Sequence, residues 1–420
     1  MTPEIQNRIE QIQRGEVPEG YKKTRIGIVP EEWQILKLRD MFDRLNRKNK
    51  VGNTNVLTIS AQHGLISQEE YFNKSIASED KSGYFLLKRG DFAYNKSYSK
   101  GYPFGAIKPL TSCDEGIVSP LYICFEPSTR NTCPEYYAQY FDGGLLNREI
   151  QAVAQEGARN HGLLNIGVDD FSSSTLVVPP LAEQKKIAEI LAAQDKVIEL
   201  KEKLLEEKQR QKKYLMQQLL TGKTRLPCFN GKWVFEKLGT LFSERIEINH
   251  VDLPLIAVTG SKGIIPRDEL GLKDNSSEDK SKYRRICVGD IGYNTMRMWQ
   301  GVSAYSDYEG IVSPAYTVLK PNNAINAKYF SYLFKMNSII FTFYRFSQGL
   351  VDDTRNLKYE NFKKISVYFP KDINEQNAIT DILNGAEEEI GLIQKEIEFE
   401  KQKKKALMQL LLTGIVRVNV

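Results

Sequence analysis

The sequence predicts an α+β chain: two similar mixed α/β domains separated by a long antiparallel two-helix coiled coil, with an approximate two-fold axis inside one chain. Three observations predict this. The segment Lys212-Lys213-Tyr214-Leu215-Met216-Gln217-Gln218-Leu219-Leu220-Thr221-Gly222 returns 192 residues later as Lys404-Lys405-Ala406-Leu407-Met408-Gln409-Leu410-Leu411-Leu412-Thr413-Gly414. The echo extends upstream, where Trp33 answers Trp233, Gly90-Asp91 with Tyr94-Asn95 answers Gly289-Asp290 with Tyr293-Asn294, and Glu115 to Pro120 answers Glu309 to Pro314. Finally, Ala182 to Leu220 contains neither glycine nor proline and carries Leu191, Ile198, Leu205, Lys212 and Leu219 at every seventh position, matched in register by Leu383, Ile390, Ile397, Lys404 and Leu411. Seven-residue spacing keeps one stripe of a helix turned toward a partner helix.

In chain order, residues 1–20 carry Ile5, Ile9 and Ile12 at helical spacing until Gly15 and Pro18 stop the pattern, which predicts a short amphipathic helix. The first domain is expected over 21–180. It opens near Lys23-Thr24-Arg25, has a β-rich run at Val56 to Ser60 followed by Gly64, and closes at Val177-Val178-Pro179-Pro180. Proline cannot continue a strand ladder and sits well just before a helix. A first long helix is therefore expected over 181–222, ended by Thr221-Gly222. The second domain, 223–370, repeats the plan with a strand at Leu255 to Thr259, and a second long helix over 371–420 ends at Thr413-Gly414. Each helix has about 40 residues, or roughly 60 Å at 1.5 Å per residue.

Two helices each packed on their own domain would also satisfy the periodicity. Against that stands the repeat offset, which drifts from 200 at the tryptophans through 199 and 194 to 192 and then holds along the helices. Insertions tolerated in the domains but not in the heptads point to helices that pair with each other and set a distance. Because the first leads away from its domain and the second returns, they should run antiparallel with the domains at opposite ends. The terminal Thr413-Gly414-Ile415-Val416-Arg417 resembles Thr221-Gly222-Lys223-Thr224-Arg225, so the end of the chain should lie near its beginning and close a ring.

At 420 residues and 41% hydrophobic the chain can build two cores besides extended helices. A net charge of +5 is too small to argue for nucleic acid without local clustering. No apolar run approaches the roughly 20 residues of a membrane span, and Met1 to Gln6 lacks the layout of a signal peptide, so a soluble, cytoplasmic chain without a membrane partner is expected. Cys113, Cys124, Cys133, Cys228 and Cys287 form no C-x-x-C pair and have only His63, His161 and His250 beside them, so neither a metal site nor a cofactor is expected.

Taken in order and found twice, the Trp33 segment, Gly90-Asp91, Val118-Ser119-Pro120, Pro179-Pro180-Leu181-Ala182-Glu183-Gln184 and Leu219-Leu220-Thr221-Gly222 resemble the specificity (S) subunit of type I restriction-modification systems. The resemblance implies two target-recognition domains, each reading half of a bipartite double-stranded DNA site. It also implies helices that act as a spacer and dock two methyltransferase (M) subunits, with restriction (R) subunits as further partners, and no catalysis by this chain. One departure is visible: Pro179-Pro180-Leu181 becomes Pro370-Lys371-Asp372 in the second copy, so the second helix should start differently.

A catalytic constellation is not found. Gly222-Lys223-Thr224 resembles the tail of a P-loop, but Gln217 stands where that motif needs a glycine and the segment ends a helix instead of beginning one. No Asn-Pro-Pro-Tyr-like motif of an amino-methyltransferase is present, and triplets such as Glu206-Glu207-Lys208 fit a solvated helix face. DNA readout remains, and positions that read bases should differ between copies where scaffold positions agree. After the shared Tyr-Asn, the first copy has Lys96, Tyr98, Lys100 and Tyr102, and the second has Arg297, Trp299 and Gln300, so basic residues alternate with aromatics in both. Lys and Arg neutralise phosphates or bond guanine, Gln bonds adenine, and aromatics pack on bases. A second candidate is the strand-end turn, Gln62-His63 against Ser261-Lys262. A third is Arg159-Asn160-His161, with Arg345 and Gln348 in the second copy. For each the alternative is a solvated loop or a helix-end cap.

The function expected is therefore sequence-specific DNA recognition and assembly without catalysis. A coiled-coil scaffold that binds no DNA and a fragment of a single-chain restriction or modification enzyme are the rivals. If the helices are a ruler, one heptad inserted between Glu206 and Glu207, matched by another between Glu398 and Phe399, adds about 10 Å, or roughly three base pairs of rise. Binding or methylation across targets whose spacer varies by single base pairs should then show a longer preferred spacer, and an unchanged preference in a folded variant refutes the ruler.

Overall fold

The strands of the two copies pair in the same order. The computed structural model describes residues 2–72, 78–128, 131–156, 164–260, 263–270 and 278–419. It divides into two units, Met1–Lys201 with Glu396–Val420, and Glu202–Lys395. In the first unit an antiparallel four-stranded sheet has the spatial order Phe42–Arg44, Ile123–Pro127, Phe92–Asn95, Ala106–Pro109. In the second the order is Phe242–Arg245, Tyr316–Pro321, Ile291–Asn294, Ser303–Tyr305. Hairpins occupy equivalent places too, Leu57–Ser60 with Gly64–Ser67 and Ile256–Val258 with Ile264–Pro266. The strand before each long helix, Thr175–Val178 or Ser366–Pro370, pairs with an early strand of its domain, Gln34–Lys37 or Trp233–Lys237.

Aromatic rings fill the cores where alternate strand residues and the following helix meet. Phe42, Phe92, Phe125 and Phe141 pack in the first unit, with Phe92 stacked on Phe125 at 5.4 Å, and Phe242, Phe330, Phe334 and Phe362 pack edge to face in the second. Each such ring contributes about 1.5–3 kcal/mol by burial, and favourable ring geometry adds about 0.5–1.5 kcal/mol per pair.

The long helices run Leu181–Leu219 and Ile373–Leu411. Within the first unit Gln194 bonds Glu400, Lys201 pairs with Glu396 and Lys404 with Asp195; within the second, Lys208 pairs with Glu389 and Lys212 with Glu387. Partner numbers fall as helix numbers rise, so the pairing is antiparallel. Exposed ion pairs contribute only about 0–1 kcal/mol, and the seam residues carry the packing: Leu191, Ile198, Leu219, Leu383, Ile397 and Leu411 are buried, while Leu205 and Ile390 are half-buried. The second helix does start with different chemistry, since Asp372 accepts a bond from the Asn374 amide (2.9 Å) where the first has Pro180, yet the two starts are equivalent residues.

Each unit is completed by the far end of the other copy's helix. Leu219 and Leu220 lie in the core of the second unit, Leu411 and Leu412 in that of the first. A buried carboxylate in the first turn of each helix fastens this exchange. Glu183 accepts from Trp33 Nε1 (3.3 Å) and Arg417 Nε (2.9 Å); Glu375 accepts from Trp233 Nε1 (3.3 Å) and from Arg225 Nε (2.6 Å) and a second guanidinium nitrogen (2.8 Å). The neighbouring Gln184 and Gln376 bond the backbone of their own domains at Cys133 and Asn326. The chain end meets the chain start, with Tyr21 OH donating to Gly414 O at 2.8 Å.

Glycine ends both helices because the turn that follows is left-handed, φ +70° at Gly222 and +73° at Gly414, and a Cβ on Gly414 would lie 2.6 Å from Pro30. Gly414→Ala should therefore cost about 1–2 kcal/mol or more. In contrast, Gly385 and Gly391 lie inside the C-terminal helix with open space at the Cβ position. Alanine at either should add about 1 kcal/mol, and urea denaturation of the three variants checks both signs.

Candidate nucleic-acid interface

The loop that diverges between copies is launched by residues that do not. Gly90 and Gly289 turn at φ +93° and +94°, and the aspartate that follows folds back. Asp91 accepts from the Lys88 amide and from Arg47, each at 2.6 Å; Asp290 accepts from the Cys287 amide (2.8 Å) and Arg245 Nε (2.7 Å). Burial pushes the Asp91 carboxyl up, against the pull of the Lys88 amide and Arg47. Hydrogen bonds donated to Asp290 hold the Arg245 guanidinium firmly charged. Next, Tyr94 stacks on Phe171 at 4.8 Å and Tyr293 on Phe362 at 5.5 Å. Asn95 and Asn294 then accept from amides two residues on, Ser97 (3.1 Å) and Met296 (3.0 Å), which starts the same turn in both loops. A backbone bond steadies each loop from outside, Leu164 N to Lys96 O and Leu357 N to Thr295 O.

In the second unit this loop meets the helix Asn337–Phe346. Met298 points into the core, while Arg297 and Gln300 are exposed. Trp299 is half-buried, its ring 6.1 Å from Tyr344 and its indole N–H donated to Met296 O at 2.9 Å. Arg355 lies over the Tyr344 ring at 4.0 Å and near Trp299 at 5.9 Å, and also bonds the Tyr344 hydroxyl and Asp352. Phe341 is exposed and stacks on Tyr344. Arg345 and Gln348 are exposed at the end of the same helix and just after it. The turn carrying Trp299 and the helix carrying Arg345 thus form one surface of aromatic rings and guanidinium groups. Such a surface can stack on bases and neutralise phosphates.

The first unit builds its loop differently. Tyr98 and Lys100 are exposed and Lys96 is half-buried. Tyr102 turns back, its hydroxyl donating to Asp142 at 2.6 Å beside Lys108 Nζ, and burial followed by the Asp142 charge raises its pKa. Gln62 and His63 are exposed at the tip of the first hairpin, where the His63 amide donates to Ser60 Oγ. Arg159, Asn160, His161, Ser261 and Lys262 lie outside the described residues.

The family described as the type I restriction modification DNA specificity domain matches residues 30–209 and 270–401, most of the chain and both copies of the repeat. The chain belongs to this specificity-subunit family. The type I restriction enzyme MjaX specificity subunit of Methanocaldococcus jannaschii is 24% identical over 96% of this chain and 97% of its own length. The MjaVIII specificity subunit of the same organism is 28% identical over half of each chain. Among solved structures, a chain from work on complex assembly and conformational transition of the type I R-M system is similar at TM-score 0.57 and 14% identity over 92% of this chain and 99% of that one. The S subunit from M. genitalium gives 0.52 and 14% over 90% and 96%. At these identities the structural likeness shows the fold.

Sequence reasoning about this specificity subunit missed Tyr344, Arg355 and Asp142. For Arg355 a signal existed in the sequence: Arg355-Asn356 after Gly349 echoes Arg159-Asn160 after Gly157. Among the described residues no group of His, Cys, Asp and Glu could hold a metal ion, and no helix is long and apolar enough to cross a membrane. Arg297→Ala removes an exposed side chain and should leave thermal stability within about 0.5 kcal/mol. Arg355→Ala removes a stacked cation and should cost about 1 kcal/mol; paired melting curves distinguish the two.

Proposed function

We propose that this chain reads a two-part double-stranded DNA target, one half-site per domain, and docks methyltransferase and restriction subunits without catalysing a reaction itself. One observation carries this reading: the same scaffold occurs twice, launched by the same Gly-Asp and Tyr-Asn residues, and the two copies differ in the exposed loop that follows. Tyr98 and Lys100 face solvent in one and Arg297 and Gln300 in the other. A shared frame with different polar tips is what independent readout of two half-sites requires, because base-edge bonds specify and backbone contacts only position. Both long helices also present exposed apolar residues, among them Leu200 and the equivalent Leu392, which suit partner helices. The relatives named as specificity subunits, and the solved chain described with assembly of a type I system, support these partners.

Arg297→Ala tests the reading. In a complex with methyltransferase subunits it should relax specificity in one half-site only, at a cost of about 1–3 kcal/mol if the guanidinium pairs with guanine. Mapping methylated adenines and titrating binding at two salt concentrations provide the readouts. A chain that binds no DNA at either salt would instead be an assembly scaffold.

A further inference from the structure

One helix-end position differs in charge between the copies, and in both it grips a candidate reading loop. Asp142 closes the helix Pro134–Asp142; Lys335 follows the helix Ala327–Leu333. They are equivalent, since Tyr136, Tyr137 and Phe141 answer Tyr329, Phe330 and Phe334 at the same offset of 193. Just upstream, Gln139 bonds Asp195, which pairs with Lys404, and Tyr332 bonds Glu387, which pairs with Lys212, so equivalent residues make equivalent contacts.

At the next turn the chemistry inverts. Asp142 accepts from Tyr102 OH and from the buried Lys108 ammonium, fixing the far end of the loop that starts at Lys96. Lys335 donates to Gly301 O at 2.8 Å and Gly260 O at 3.4 Å. Gly301 ends the Arg297–Gln300 loop, and Gly260 follows the strand Ile256–Val258. One ammonium therefore ties the end of a candidate reading loop to the backbone at Gly260.

Lys335 is half-buried, and drawing an ammonium partly out of water has a cost that its bonds must compensate. Burial lowers the Lys335 pKa to about 8, against the attraction of Glu387 and with the repulsion of Lys212. A methionine would fill the space without that cost. Beside each position lies a cavity, about 540 Å³ at Lys335 and about 480 Å³ at Asp142, so packing on that side does not hold the loop.

We propose that residues 142 and 335 are positioning residues, one latch per domain, that lock the reading loop and thereby set how selectively each domain discriminates its half-site. This rests on the DNA-reading function proposed above. The test uses the full chain with its methyltransferase subunits, selected against duplex libraries randomised in each half-site. Failure of the unmutated complex to select a two-part sequence overturns the DNA reading, and the latch with it. Given selection, Lys335→Met should lower discrimination against single-base changes in one half-site by about tenfold, the size of one mismatch. It should leave the other half-site unchanged, and Lys335→Arg, which keeps the donors, should restore discrimination. Asp142→Asn should act on the opposite half-site alone. Should Lys335→Met not fold, Asp142→Asn with Tyr102→Phe decides. Folded variants with unchanged discrimination, or with equal loss in both half-sites, overturn the latch.

Discussion

Glu183 and Glu375, one turn into each long helix, are buried carboxylates whose charge is satisfied from two directions: by the indole of their own domain and by an arginine arriving from beyond the end of the other helix. Removing either partner leaves a buried charge uncompensated, at a cost of about 3–5 kcal/mol. This constraint fixes where each helix begins relative to where the other ends. The glycine stops, the matched heptads and the exchange of leucines between cores all follow from it. The repeat read along the chain is accordingly not the folded unit, since each unit borrows the terminal turns of the other copy.

A division of labour runs through both units. Residues that recur are internal: Asp91 and Asp290 satisfy backbone amides and arginines, Tyr94 and Tyr293 stack in the core, and the glutamines after the carboxylates hold domain backbone. Residues that differ lie outward or grip the outward loops. Such a frame tolerates new chemistry at the exposed positions, Tyr98 and Lys100 or Arg297 and Gln300, while Met298 and Tyr102 of the same loops turn inward and anchor them.

Much of this was legible in the sequence. The heptads announced the helices, Thr-Gly announced their ends, and the likeness of Thr413-Gly414-Ile415-Val416-Arg417 to Thr221-Gly222-Lys223-Thr224-Arg225 announced that the chain end returns to its start. The Gly-Asp echo was visible, but its role was not, because its partners Arg47, just past the strand Phe42–Arg44, and Arg245, at the end of Phe242–Arg245, lie 44 and 45 residues upstream at positions that do not align. The site was least legible. Tyr102 and Trp299 looked alike as aromatics beside basic residues, yet one turns inward to Asp142 and the other packs beneath Arg355. Those partners come from helices and turns distant in sequence, and position 142/335 changes sign between copies, so comparing the copies hid its importance.

The exchange of helix ends also orders events on the ribosome. The second unit is one continuous stretch, Glu202–Lys395, whereas the first is assembled from two stretches on either side of it. The first unit needs Leu411, Leu412 and Arg417 to fill its core and neutralise Glu183, and these are made only after the whole second unit. The domain translated first is therefore finished last, and for most of its synthesis it waits with a buried carboxylate and an apolar slot unfilled.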